Sequence, residues 1–180
     1  MEESRRIQIF WVVGIVLGLL GTIFHLNVVP HAWKKATQPK PPEIWSYIKK
    51  ESDRKGLNPN FVYSIAFAES TLNPYADTGY ARGLMQMSEV AWITVDKSSY
   101  NNAFDWKDNV NAGTAYLDHL KDELSKSGNF SYPLLAASYR YGINKVRRAN
   151  YEISELPRPK NKIYQELFTG MLAPVDPPVS

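Results

Sequence analysis

The feature that most constrains the fold of this chain is the recurrence of apolar residues at intervals of three and four. The most regular example runs from Asn109 to Leu124, with one face formed by Val110, Gly113, Leu117, Leu120 and Leu124. This spacing matches the period of an α-helix. No apolar–polar alternation with a period of two is long enough to predict a strand. The sequence therefore predicts a mainly α-helical domain.

Four further helices are predicted from the same kind of pattern. The first covers Glu43 to Lys55, and Gly56 follows as its C-cap. The second opens at Asn58-Pro59 and carries an apolar stripe of Phe61, Val62, Ile65 and Ala66. The others are predicted over Tyr132–Ala149 and Asn161–Leu172. Residues 43–173 are thus expected to form one globular helical domain with a single core, followed by a flexible tail at 174–180.

A different segment precedes this domain. Residues 7–29 form an apolar run interrupted by only four polar residues, and roughly 20 apolar residues are enough to cross a bilayer as a helix. The alternative is a cleaved signal peptide, but the run exceeds the usual ~7–15 residues of such a segment and no A-x-A site follows. We predict a single transmembrane helix within residues 1–30 and a proline-rich linker at 31–42. Basic residues on both sides of the run leave its orientation open.

Composition excludes several classes of function. The 180 residues include no cysteine, which excludes disulfides and thiol catalysis, and three histidines without ligand spacing. We therefore predict no metal and no cofactor. The net charge is +3, with acidic and basic residues interspersed, which argues against a nucleic-acid partner.

One carboxyl group stands out in the second helix. Glu69 follows Ile65 by four residues, Val62 by seven and Phe61 by eight, so it falls on the apolar face. Burial raises the pKa of a carboxyl group, which suits a general acid near neutral pH. A structural acid satisfied by hydrogen bonds is the commoner explanation for such a position. On these residues alone both interpretations stand.

Ordered motifs around Glu69 resemble the lytic transglycosylase family, which shares the goose-type lysozyme fold. The matching blocks are Glu69-Ser70, Asn73-Pro74-Tyr75-Ala76, Gly83-Leu84-Met85-Gln86, Asn109 to Leu117, and Tyr139 to Gly142. The resemblance covers residues 43–150. It implies a lysozyme-like helical domain.

The resemblance also implies an activity. Such enzymes cleave the β-1,4 bond between N-acetylmuramic acid and N-acetylglucosamine in peptidoglycan without adding water, and leave a 1,6-anhydro ring. It implies Glu69 as the acid and base, Gln86 as a sugar ligand, and Tyr139 as a tyrosine whose hydroxyl approaches the glutamate. Ser70 fits either a sugar contact or a helix-end hydroxyl. The expected partners are peptidoglycan strands and, through residues 7–29, the cytoplasmic membrane, with the domain on the periplasmic side.

The chain departs from the family pattern beside the tyrosine, where Arg140 replaces an asparagine. Arg140 is expected to pair either with a carboxylate of a peptide stem or with a nearby acid such as Asp77. Aromatic faces for sugar rings are expected among Trp92, Trp106, Tyr80, Tyr100 and Tyr141, and close backbone approach at Gly83 and Gly113.

Two alternative functions remain open. A hydrolytic muramidase needs a second carboxylate, and the nearby candidates in sequence are Asp77, Asp105 and Asp108. The other alternative is a non-catalytic peptidoglycan-binding or envelope-assembly module, which would need no catalytic carboxylate.

Overall fold

The computed structural model describes residues 38–179. Within that range the chain forms seven α-helices, two 3₁₀ helices and one two-stranded antiparallel hairpin. The α-helices are α1 (Pro41–Arg54), α2 (Pro59–Ser70), α3 (Glu89–Val95), α4 (Trp106–Lys126), α5 (Tyr132–Tyr141), α6 (Ile143–Arg148) and α7 (Lys162–Phe168); the strands are β1 (Ala81–Arg82) and β2 (Met87–Ser88); the 3₁₀ helices are Tyr100–Phe104 and Ile153–Glu155. The prediction of a mainly helical domain is confirmed.

Side-chain caps explain where the longer helices begin. The Asn58 carboxamide oxygen accepts from the N–H groups of Asn60 and Phe61 at the start of α2, as an N-cap does. Asp105 caps α4 in the same way, by accepting from Lys107 and Asp108. Because Asp105 provides this cap, α4 begins at Trp106, three residues before the predicted start.

One predicted helix is divided in two. The apolar spacing from Tyr132 to Ala149 predicts a continuous helix, but the chain breaks at Gly142, where φ is +83°. The N–H of Gly142 still donates to the Ser138 carbonyl and closes α5. A residue without Cβ adopts this backbone conformation without strain, so α6 starts in a new direction. The last predicted helix is also shorter, since α7 ends at Phe168.

The core is built around α2, which packs against α1 and α7, while α4 packs against α1 and α5. Phe61, Val62, Ile65 and Ala66 of α2 are fully buried. Phe61, Val62 and Ile65 each contribute on the order of 1.5–3 kcal/mol through burial of apolar area. The predicted stripe is therefore the side of α2 that faces the core.

The loop of the hairpin is fixed to α4 by Asn109, which is fully buried. Its Nδ2 donates to the carbonyls of Arg82 and Ala103 at 3.0 and 2.8 Å, and its Oδ1 accepts from the Met85 N–H at 2.7 Å. A Cβ on Gly83 would overlap Ala103 and Asn109, and one on Gly113 would overlap the Met85 side chain. The predicted close approach at both glycines is confirmed.

Two sequence predictions concern the ends of the chain. The transmembrane helix predicted at residues 7–29 lies outside the described residues. Between residues 38 and 179, no helix is long and apolar enough to cross a bilayer. In the predicted tail, Val175 packs against the core, and its N–H donates to the Ser64 hydroxyl at 3.4 Å.

Candidate active site

A cleft of about 600 Å³ opens beside the end of α2. Glu69 lies in it, with the hairpin on one side, α5 and α6 on the other, and Tyr116 of α4 and Tyr139 of α5 also in the lining. Among the described residues that line this cleft, Glu69 is the only acidic one. The cleft is thus arranged around a single carboxyl group.

The Glu69 side chain is only 9% exposed and has two partners. The Tyr164 hydroxyl donates to Oε1 at 2.5 Å. The guanidinium of Arg140 lies beside Oε2, with Nη1 at 3.5 Å, and it also lies over the Tyr164 ring, 5.4 Å from the ring centroid. One carboxyl oxygen is therefore held by a buried phenol, and the other by a half-exposed cation.

Burial raises the pKa of Glu69 above its ordinary value, while the Tyr164 hydroxyl and the Arg140 charge oppose that rise. Desolvation is the largest of these effects, and it penalises the charged form. The direction agrees with the expectation drawn from the apolar stripe. A carboxyl group with a raised pKa keeps its proton closer to neutral pH and is suited to act as a general acid.

Tyr164 reaches this site through α7. Asn161 caps α7 by accepting from Ile163 and Tyr164, and its Nδ2 donates to the Ala68 carbonyl at 3.1 Å. Asn161 therefore joins α7 to the last turn of α2. Burial, followed by the Glu69 charge, raises the pKa of Tyr164 well above its usual value. The phenol is thus a stable donor to the carboxylate.

Tyr164 was not predicted from the sequence. It lies 95 residues from Glu69 in sequence and beyond the motifs that pointed to the site. The only local signal was a short predicted helix, in which a tyrosine would normally be assigned to packing.

The position of the Tyr139 hydroxyl corrects the corresponding prediction. It donates to the Met85 carbonyl at 2.8 Å and lies 3.4 Å from the Met87 sulfur, instead of bonding to Glu69. Burial and then the charge of Glu69 raise the pKa of Tyr139 well above its usual value. Tyr139 therefore lines the cleft near Glu69 and holds the loop that carries Met85. The phenol contact to Glu69 that was expected of Tyr139 is made by Tyr164.

Gln86 and Ser70 are both engaged in hydrogen bonds within the domain. The Gln86 Nε2 donates to the carbonyls of Ala76 and Gly83, both at 3.0 Å, so its amide oxygen is the group left for a ligand in the cleft. The Ser70 hydroxyl donates to the Leu84 carbonyl at 2.6 Å and accepts from the Asn73 N–H at 3.1 Å. Ser70 thus makes the hydrogen bonds of a helix-end hydroxyl, and its predicted sugar contact stays a prediction.

Arg140 pairs with a nearby acid, as one of the two predictions has it, but the acid is Glu69 and not Asp77; pairing with a peptide-stem carboxylate stays a prediction. Asp77 instead lies 3.7 Å from the Arg82 guanidinium. None of Asp77, Asp105 and Asp108 lines the cleft, and Asp105 is occupied as the cap of α4. A second carboxylate for hydrolysis is therefore not supplied by these candidates.

Two of the five aromatic residues expected to face sugars line the cleft. Tyr80, the residue before β1, is 81% exposed, and Tyr141 lies at the end of α5 and donates to the Pro157 carbonyl. Trp92 is fully buried. Trp106 packs edge-on against Tyr47, and Tyr100 donates to the Met87 carbonyl.

We expect Tyr164→Phe to raise the pKa of Glu69 further. The phenol hydrogen bond stabilises the charged carboxylate, so its loss favours the protonated form. The measurement is an NMR titration of the labelled Glu69 carboxyl carbon in both proteins. Tyr139→Phe is the matched control, since its hydroxyl bonds to Met85 and its removal should leave the Glu69 pKa in place. An unchanged or lower Glu69 pKa in Tyr164→Phe would contradict the assigned hydrogen bond.

This chain is similar to known proteins both in sequence and in fold. Membrane-bound lytic murein transglycosylase F of Desulfosudis oleivorans is 32% identical over 112 residues, which are 60% of this chain and 24% of that protein. Membrane-bound lytic murein transglycosylase C of Pectobacterium atrosepticum is 37% identical over 84 residues, 42% of this chain and 24% of that protein. This chain thus matches about a quarter of the length of each.

The fold is similar to that of an inactive mutant of the lytic transglycosylase Slt from Pseudomonas aeruginosa. The TM-score is 0.51 at 21% identity, over 68% of this chain and 20% of that one. At this identity the likeness concerns the fold alone, and it agrees with the lysozyme-like domain predicted from the motifs.

The sequence model of one family, described as the transglycosylase SLT domain, matches residues 46–160. That range covers more than half of the chain and includes the end of α2, the hairpin, α4 and α5, which together bring Glu69, Gln86 and Tyr139 to one cleft. The chain therefore belongs to the transglycosylase SLT domain family.

Proposed function

We propose that this protein is a lytic transglycosylase that cleaves the β-1,4 bond between N-acetylmuramic acid and N-acetylglucosamine in peptidoglycan and leaves a 1,6-anhydro end. The observation that carries the proposal is Glu69, a buried carboxyl group that is the only acid among the described residues lining the cleft. Membership of the family and the names of the two murein transglycosylases support the same assignment.

In the first step Glu69 acts as an acid. Burial raises its pKa, which favours the protonated form, and it gives this proton to the oxygen that links the two sugars. The bond from that oxygen to C1 of the muramic residue breaks, the N-acetylglucosamine side leaves as an alcohol, and positive charge develops at C1. Tyr164 occupies Oε1 at 2.5 Å, whereas Arg140 lies at the longer distance of 3.5 Å from Oε2, so we assign the proton transfer to Oε2.

In the second step the same group acts as a base. The C6 hydroxyl of the muramic residue attacks C1, and its proton passes to the Glu69 carboxylate. This forms the 1,6-anhydro ring and returns Glu69 to its protonated state, so no water is consumed. Arg140 and Tyr164 lower the pKa of Glu69 and thereby stabilise the carboxylate between the two steps.

The single carboxyl group favours this route over hydrolysis. Most glycosidases use two carboxyl groups, one of which activates water or forms a covalent intermediate. Among the described residues that line the cleft, Glu69 is the only one with a carboxyl group. Ring closure needs no second carboxyl group, since the nucleophile is the C6 hydroxyl of the substrate itself.

The other predicted residues have roles consistent with a sugar ligand. Gln86 presents its amide oxygen as an acceptor, since its nitrogen is held by the backbone. Tyr139 forms part of the cleft surface. The hydroxyl of Ser70 holds the loop that carries Leu84, and we therefore propose that Ser70 positions this loop.

We further propose that residues 7–29 anchor the protein in the cytoplasmic membrane, with the domain on the periplasmic side. The apolar run is long enough to span, both sequence relatives are named as membrane-bound, and the proposed substrate lies outside that membrane.

We expect Glu69→Gln to lower the release of anhydro-muropeptides by at least about a hundredfold, since general acid–base catalysis contributes roughly 10²–10⁴-fold. Mass spectrometry of digested sacculi measures the product. The matched control is Glu166→Gln, the same change at an exposed residue that does not line the cleft, and it should retain activity. Thermal unfolding of both variants tests folding. If Glu69→Gln releases anhydro-muropeptides at the level of the unmodified protein, the assignment of Glu69 as the acid and base is wrong.

The orientation can be tested by labelling, because the chain contains no cysteine. Ser154 is exposed, so Ser154→Cys introduces one thiol on the domain. A membrane-impermeant maleimide should label it in intact spheroplasts that carry the full chain. Labelling that occurs only after lysis would place the domain in the cytoplasm and contradict the proposed location.

A further inference from the structure

The walls of the cleft differ in charge. On the hairpin side the lining includes Tyr80 and Val90, which are 81% and 72% exposed. On the opposite side α5 and α6 contribute Arg140, Lys145 and Arg148. Three cations thus share a cleft with a single acid among its described lining residues. This excess of positive charge is not explained by the proposed chemistry at Glu69.

The three cations are not equivalent. Arg140 already has a partner in Glu69, whose Oε2 lies 3.5 Å from its Nη1. Lys145 and Arg148 form no ion pair within 4 Å in the described part of the chain. Glu152 and Glu155 line an adjoining depression with them without approaching to that distance. We call Lys145 and Arg148 the free cations of the cleft.

The break at Gly142 gives α6 its own direction and brings these two residues to the cleft. Arg147, their neighbour on the same helix, points elsewhere and bonds to Glu123 of α4 at 2.5 Å. Lys145 is also held against Tyr141, with Nζ 5.0 Å from the ring centroid. One face of α6 therefore makes a structural ion pair, whereas the other presents unpaired charge to the substrate space.

We propose that Lys145 and Arg148 bind a carboxylate of the peptide stem carried by peptidoglycan, so that the cleft prefers peptide-bearing glycan over bare glycan. This inference rests on the proposed function for the identity of the polymer. The N-acetylated sugars are uncharged, and the carboxyl of muramic acid is consumed in the amide link to the stem. A bare glycan with stems removed offers at most that lactyl carboxyl, whereas each stem adds carboxylates of its own.

The opposite wall is suited to the uncharged part of the same ligand. The exposed ring of Tyr80 offers an aromatic face to a sugar, while cations bind carboxylates through charge-assisted hydrogen bonds. A phosphodiester polymer attached through C6 is a poorer candidate for the anion. It would block the hydroxyl that must attack C1.

The test measures binding, so it does not depend on turnover. The full 180-residue chain in detergent, carrying Glu69→Gln to prevent cleavage, is titrated with a glycan tetrasaccharide with peptide stems and with the same tetrasaccharide after amidase removal of the stems. The quantity of interest is the ratio of the two Kd values. We expect the Glu69→Gln chain to bind the peptide-bearing form more tightly.

Adding Lys145→Gln or Arg148→Gln should reduce this preference by up to about fivefold each, as expected for a partly exposed ion pair. Arg148→Lys should preserve most of it. Arg147→Gln is the matched control, with the same change of charge on the same helix but outside the cleft, and it should leave the ratio unchanged. The preference should also weaken as salt is added.

The inference is overturned if the Glu69→Gln chain binds both ligands equally. It is equally overturned if adding Lys145→Gln or Arg148→Gln leaves the ratio of the two Kd values unchanged. It is also overturned if Arg147→Gln lowers the ratio as much as Arg148→Gln. These outcomes are separate from the fate of the proposed function, which is decided by the anhydro-muropeptide product.

Discussion

The site depends on one interaction, the hydrogen bond from the buried Tyr164 hydroxyl to the Glu69 carboxyl group. Glu69 lies in the last turn of α2, a position where the negative end of the helix dipole and the surrounding apolar residues both disfavour a carboxylate. The last turn of α2 has no basic residue of its own. Partners must therefore come from other helices, and α7 supplies the phenol while α5 supplies Arg140. Both helices must therefore be in place for Glu69 to have the partners that stabilise its charged form.

This arrangement balances two opposing needs. In the proposed mechanism the general acid must keep its proton until the substrate is bound, and burial of Glu69 favours this by raising its pKa. The same group must then exist as a carboxylate long enough to take the proton of the C6 hydroxyl, and Tyr164 and Arg140 stabilise that state. Because burial dominates, the resting group favours the protonated form. One carboxyl group can in this way serve both halves of the reaction.

Local sequence patterns were sufficient for most of the helices and for Glu69. Apolar spacing, Asn58-Pro59 and the stripe of α2 are all short-range signals, and they predicted the position of Glu69 on the buried face. Asn109 and the two glycines beside the hairpin loop were recognised through the family motifs. The structure adds their physical reason, which is the close packing of that loop against α4.

The remaining features depend on contacts that sequence spacing does not encode. Tyr164 meets Glu69 because α7 packs on α2, and no local signal distinguishes that tyrosine from an ordinary core residue. The apolar pattern continues past Gly142 to Val146, so it favoured one helix, although the backbone at the glycine divides it. Tertiary packing likewise determines the direction of the Tyr139 hydroxyl and the pairing of Arg140 with Glu69.

The central claim, that one carboxyl group drives ring closure without water, is tested most directly by digesting peptidoglycan in water enriched in ¹⁸O. Mass spectrometry of the new muramic ends gives the result. The account predicts 1,6-anhydro ends, each lighter than a hydrolysed end by one water and free of ¹⁸O. Reducing ends that carry ¹⁸O would show that water is the nucleophile and would contradict the single-carboxyl mechanism.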